Sequence, residues 1–187
     1  MGKYASRNAE GDHRIKPDDH KAIALLKDEH HAFRTLFDQA EDQEGEALTA
    51  TARELCLRLA VHMTIEEEIL YPALKGLGSE EKDEVNEGIV EHASGKALCA
   101  EIEQLDGTEE LFKSKVHVLG EETVHHIDEE DEELFEAAKQ AHADGKIDLD
   151  AIGEQLRARQ QELYEQVEQT GELGETHEAQ VEEIPSV

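Results

Sequence analysis

The chain has 187 residues, and its 18 Lys and Arg stand against 47 Asp and Glu, a formal charge of −29. That excess disfavours nucleic acid, whose affinity comes chiefly from Lys and Arg releasing counterions, and disfavours an anionic membrane surface for the same reason. With no Trp, 4% aromatic residues and two cysteines (Cys56 and Cys99), a β-sandwich, a barrel and a disulfide scaffold are also disfavoured, which leaves an acidic, helix-forming protein expected in the reducing cytoplasm.

Residues 1–17 are polar, carry Gly2 and Gly11 and close with Pro17; they read as a mobile N-terminal arm. The arm lacks the apolar stretch of a secretion signal. Its MGKYAS start fits the N-myristoylation pattern, but no polybasic patch accompanies it and the pattern is set aside. The longest apolar run, Ala22 to Leu26, is far short of the roughly 18 residues of a membrane span.

A first helix is expected over 19–41, capped by Asp18 or Asp19, with the inward stripe Ile23, Leu26, His30, Phe33, Phe37, a 3-4 spacing that keeps one face buried. A second, over 46–74, carries Leu55, Leu59, His62, Glu66 and Ile69, with Pro72 expected to kink or end it. A third opens near Ser79 and runs to about Leu105 with Val85, Ile89, His92, Lys96 and Cys99 inward. Asp106 and Glu109 resemble a capping box for a fourth, reaching about Ala143, whose stripe is Phe112, Val116, Leu119, Thr123, His126, Glu130. A fifth, over 150–170, turns Leu149, Ile152, Leu156, Leu163 and Val167 toward something apolar, either the outside of the bundle or an oligomer contact. The expected architecture is all-α: an arm (1–17), an up-down-up-down four-helix bundle (18–145), an accessory helix (146–170) and a disordered acidic tail (171–187).

The histidines carry the chemistry. His30, His62, His92 and His126 each lie on the apolar stripe of a different helix, and His62 and His126 are followed four residues later by Glu66 and Glu130. At i and i+4 two side chains share one helix face. His117/Glu121 and His125/Glu129 have the same spacing but lie off the stripe, on the solvated face. A bundle thus gathers four imidazoles and two carboxylates in one interior, where buried carboxylates need cations, and Lys96 can answer only one. Imidazole and carboxylate without thiolate suit iron, manganese or zinc. Six donors exceed one tetrahedral zinc and fit two ions with bridging carboxylates. The Glu-x-x-His pairs of a ferritin-like site occur only at Glu10/His13, in the arm, and Glu122/His125, off the stripe.

The segments LLKDEHHAFRTLFD, HMTIEEEILYPALKGL, EHASGKALCAEIEQL and HHIDEEDEELF resemble, in order, the four helix signatures of the hemerythrin-like (HHE cation-binding) family, over about residues 20–140. The resemblance implies an oxo- or hydroxo-bridged di-iron centre, with His30 and His62 on one iron, His92 and His126 on the other, and Glu66 and Glu130 as bridges. Oxygen-carrying members have a fifth histidine where this chain has Lys96. That departure turns the expectation from oxygen transport toward breakdown of hydrogen peroxide, with Lys96 as a candidate catalytic residue pairing with Glu66 or Glu130, donating to bound peroxide, or reaching solvent. Glu67, Glu129 and Tyr71 are candidate replacements for the missing ligand, although Tyr71, nine residues after His62, points away on an ideal helix. Dioxygen, peroxide and nitric oxide are the expected small ligands. The alternative is an oxygen, nitric-oxide or iron sensor or store without turnover, acting through a protein partner or homo-oligomer at the fifth helix.

Overall fold

The computed structural model describes residues 2–4, 15–16 and 19–171. Helix α1 (Lys21–Glu41) is followed by α2 (Gly45–Ile65), which runs through a π-helical turn (Glu66–Leu70) into α3 (Tyr71–Lys75). Helix α4 (Ser79–Glu103) precedes α5 (Phe112–Glu129), which runs through a second π-helical turn (Glu130–Leu134) into α6 (Phe135–Ala143), and α7 (Leu149–Thr170) closes the described chain. There is no strand among the described residues. Helices α1, α2, α4 and α5 each border their neighbours in the chain, and α1 and α5 close the ring, the arrangement of an up-down-up-down bundle. Among the described residues no helix is long and apolar enough to cross a membrane.

Two apolar clusters fill the bundle. One holds Phe33, Phe37, Leu55, Phe112 and Leu119; the other holds Ile23, Leu26, Ile65, Leu74 and Phe135. Along each of the four bundle helices the inward histidine or glutamate falls between the residues of one cluster and those of the other, so the polar groups form a single layer sealed by hydrocarbon at both ends.

Several local expectations are corrected. Asp19 does not cap α1; its carboxylate accepts the Lys16 N–H at 2.8 Å, and Asp150 of α7 accepts the Lys21 N–H at 3.1 Å instead. Helix α5 starts at Phe112 and not at Asp106. One bond of the expected box forms, the Asp106 N–H donating to Glu109 at 3.3 Å, but Asp106 accepts from the Thr108 N–H (2.9 Å) and Glu109 also from the Gly107 N–H (3.1 Å), so the segment is a compact loop. Pro72 does not end its helix, since the π-helical turn directly before it loosens the ladder that its ring would otherwise disrupt. Within the expected mobile arm, Tyr4 is buried against Phe37 and its N–H donates to Asp38 at 2.7 Å. A lone aromatic in a polar stretch has no periodicity to reveal its burial.

Of the two placements expected for the fifth helix, the first is observed: Leu149, Ile152, Leu156 and Leu163 are buried where α7 lies on α1 and α2. Gly153 permits the contact, because a Cβ there would stand 2.4 Å from the Ala22 nitrogen. The expected disordered tail lies, from residue 172 on, outside the described residues.

Candidate metal centre

All six residues singled out from the helical stripes meet in the polar layer. His30, His62, Glu66, His92, His126 and Glu130 are all buried, none more than 6% exposed. Glu66 Oε2 lies 3.3 Å from His62 Nε2 and 3.5 Å from His92 Nε2. Glu130 Oε2 lies 3.4 Å from His30 Nε2 and 3.6 Å from His126 Nε2. The donors form two adjoining groups, one of His30, His62, Glu66 and Glu130 and one of Glu66, His92 and His126.

Each ring is aimed by a second carboxylate. The Nδ1 atoms of His30, His62, His92 and His126 meet Asp131 (3.0 Å), Glu29 (3.2 Å), Glu67 (3.0 Å) and Glu91 (2.8 Å). A carboxylate can only accept, so Nδ1 carries the proton and Nε2 turns a lone pair into the layer, the arrangement usual behind metal-bound imidazole. The halves of the bundle mirror one another here: Glu29 and Glu91 directly precede His30 and His92, and Glu67 and Asp131 directly follow Glu66 and Glu130. Behind two of these carboxylates stand cations. The fully buried Arg34 donates to Asp128 at 2.7 Å and lies 3.7 Å from Asp131, and Lys96 grips both oxygens of Glu67 at 2.8 and 2.7 Å.

Lys96 therefore departs from expectation. It pairs with neither Glu66 nor Glu130; on a side chain still 36% exposed, its ammonium holds Glu67, the carboxylate that aims His92. Glu129 turns to His125 at 3.3 Å, away from the layer. Tyr71, expected to point away, is buried with its hydroxyl 3.2 Å from His92 Nε2, and donates to Glu130 Oε1 at 2.8 Å. A π-turn takes one more residue than an α-turn, which sets downstream side chains back by roughly 100°. Gly88 completes the fit, since a Cβ there would lie 2.9 Å from the Tyr71 oxygen. Neither π-turn nor the four Nδ1 partners carried a sequence signal beyond acids next to the stripe.

The donor set calls for cations. His30 Nε2, His62 Nε2, both oxygens of Glu66 and Glu130 Oε2 are buried without a hydrogen-bond partner, and such groups are costly to leave unpaired. His92 Nε2 and His126 Nε2 face each other at 2.9 Å; at metal–nitrogen distances of about 2.1 Å, two ligands at a right angle lie about 3 Å apart. Without metal, protons take the place of cations. Burial lowers the affinity of His30 for a proton, but Asp131 and Glu130 outweigh it and raise its pKa to about 9. Burial and the facing Glu130 push Glu66 well above the carboxylate range, whereas His126, His30 and His62 hold Glu130 below it against burial. Burial, with His126 opposite, takes His92 down to about 4. Burial and Glu130 raise Tyr71 well above the usual phenol value, so it keeps its proton.

Two cavities reach this layer. One of about 270 Å³ is lined by Leu59, Met63, Val90 and Ile127 and ends on His62, His92 and His126. A smaller one of about 80 Å³ ends on Tyr71, His126 and Glu130.

No curated protein and no solved structure matches the chain. The hemerythrin HHE cation binding domain matches residues 21–138, from the start of α1 into α6 and none of α7. A four-helix bundle that closes around cation-seeking imidazoles and carboxylates, with that match over more than half its length, places the chain in the hemerythrin HHE cation-binding family.

Proposed function

We propose that the six buried side chains hold two iron ions, and that the protein breaks down hydrogen peroxide. His30 and His62 would bind one ion, His92 and His126 the other, and Glu66 and Glu130 both. The observation that carries this reading is the sharing of carboxylates: each Oε2 lies between one histidine of the first pair and one of the second. A bound iron pair would supply two-electron exchange, so that one peroxide is oxidised to dioxygen while a second is reduced to two waters.

The chain's own residues shape what reaches the pair. The cavity lined by Leu59, Met63, Val90 and Ile127 favours a small uncharged molecule over an anion, as does a formal charge of −29. Lys96, held by Glu67, gives no fifth imidazole, which leaves fewer protein donors than an oxygen carrier has. Tyr71 keeps a proton at its oxygen beside His92 and Glu130, where it can donate to a departing substrate oxygen. Metal analysis of protein expressed with added iron should find about two irons per chain, and peroxide addition should release one dioxygen per two peroxides over many turnovers.

A second reading, a sensor without turnover, is favoured by one contact. Gln160 of α7 donates to Glu29 at 2.7 Å, and Glu29 aims His62, so the accessory helix touches the site. Iron binding with a single, non-repeating reaction with peroxide would favour it.

A further inference from the structure

The smaller cavity is acidic from rim to floor. Glu84 and Glu87 on α4 face Glu129 and Glu133 on the α5 stretch, Glu91 stands deeper, and Glu130 lies at the inner end; no Lys or Arg lines it. Accessibility falls inward: Glu87, Glu129 and Glu133 are exposed, Glu84 and Glu91 half-buried, and Glu130 only 3% exposed. Glu130 Oε2 has no hydrogen-bond partner, and neither has Glu84 Oε2, a buried atom of a residue that lines the wall. Apposed like charges cost stability, and lining a low-dielectric cleft with one sign of charge concentrates the opposite ion there.

We propose that this cleft between α4 and the π-helical turn Glu130–Leu134 is the path by which ferrous iron reaches and leaves the buried layer, separate from the apolar cavity on the α2 side that admits uncharged ligands. This rests on the metal reading of the six buried side chains. Glu87, Glu129 and Glu133 draw the hydrated cation to the rim, Glu84 and Glu91 replace part of its water shell, and Glu130 receives it. The volume of about 80 Å³ has room for water beside a partly dehydrated ion. The other cavity shares Glu91 and adds Ser94 and Glu122, but its wall is mostly apolar, with Leu59, Met63, Val90, Leu119 and Ile127, and it lacks the four further carboxylates of Glu84, Glu87, Glu129 and Glu133.

The test is the triple variant Glu84→Gln, Glu87→Gln, Glu133→Gln, which changes no residue that aims or forms the donor set. Chelator-stripped full-length chain, its helicity checked by circular dichroism, is mixed with ferrous iron without oxygen, and with cobalt(II) as a redox-inert probe. Uptake should slow about tenfold at low ionic strength, lose most of its salt dependence, and end at the same metal number. Release from the loaded chain to a chelator, which needs no stripped state, should slow likewise. A control triple, Glu46→Gln, Glu103→Gln, Glu110→Gln, removes the same charge from exposed helix and loop positions and should leave the rates near those of the parent. Equal uptake and release in parent and cleft variant, or equal slowing by both triples, overturns the path. A parent chain that holds no metal at all would instead overturn the metal reading beneath it.

Discussion

Tyr71 donates to Glu130 at 2.8 Å across the bundle, although an unbroken α-helix would turn it from the layer that holds His62. The π-turn between Glu66 and Leu70 makes the contact, and it sets the phenol oxygen 3.2 Å from His92 Nε2. Tyr71→Phe should retain the metal and lower peroxide turnover about a hundredfold, the usual size of a positioned acid's contribution. In the stripped chain, Glu130 Oε1 loses its donor, which should cost roughly 1–3 kcal/mol in urea unfolding. Unchanged turnover in a fully loaded Tyr71→Phe protein would assign the residue to packing alone.

His62→Ala and Glu130→Ala should each lose metal and stability together, because binding at such a site is coupled to folding. His117→Ala should keep the full metal number. His117 pairs with Glu41 on a partly exposed face, so its loss should change stability by no more than about 1 kcal/mol. Metal analysis and thermal unfolding of the three variants side by side check this; equal metal loss in all three would mean that the wrong helix face has been assigned to the site.

Lys96→Ala should act through His92. With the ammonium gone, Glu67 loses the cation that holds both its oxygens, and the ring it aims is less well fixed. Competition with a chelator should show one of the two ions bound about tenfold more weakly and the other nearly unaffected. Lys96→Met, which keeps most of the stem but not the charge, should behave like Lys96→Ala if the ion pair matters, and like the parent if only packing does.

The six buried donors were legible because helix periodicity alone separates His30 or His126 from His117 or His125. The bundle was legible for the same reason. The residues that aim the donors were not: Glu29, Glu67, Glu91 and Asp131 sit one position off the stripe, and in a chain with 47 acidic residues an acid beside a histidine carries no information. Tyr71 was hidden by the π-turn, whose extra residue breaks the 100° count used to place it. The Lys96 partner was missed by one residue, Glu67 for Glu66, because side-chain reach decides between neighbours that periodicity sets only about 100° apart.

Stability at low pH should depend on Asp19. Its side chain is 1% exposed, with Lys139 at 3.0 Å and the buried Lys27 at 3.5 Å. Burial favours the protonated acid, but the Lys16 N–H, Lys139 and Lys27 outweigh it and hold the carboxyl below its ordinary 3.8. A depressed folded pKa means stabilisation that is fully present above the unfolded value and lost as pH falls through the folded one. The stability difference between the parent and Asp19→Asn should thus be constant from neutral pH down to about 5 and shrink only in strongly acidic urea titrations. A difference that vanished already near neutrality would assign the effect to another group.

Gly95→Leu tests the apolar way in. A Cβ at Gly95 would meet only Met63 Sδ, at an ordinary 3.8 Å, so a larger side chain is accommodated by filling the cavity of about 270 Å³ that both residues line. The bundle should keep its stability, its two ions and its rate of ferrous uptake, since the acidic cleft lies on the other side of His126. Nitric oxide binding to the reduced, iron-loaded chain, followed by absorption, should slow several-fold, and peroxide kcat/KM should fall in parallel because a neutral ligand fits an apolar passage better than an acidic one. Slowed ferrous uptake with unaltered nitric oxide binding would reverse the assignment of the two cavities, and no change in either rate would place the ligand path elsewhere in the bundle.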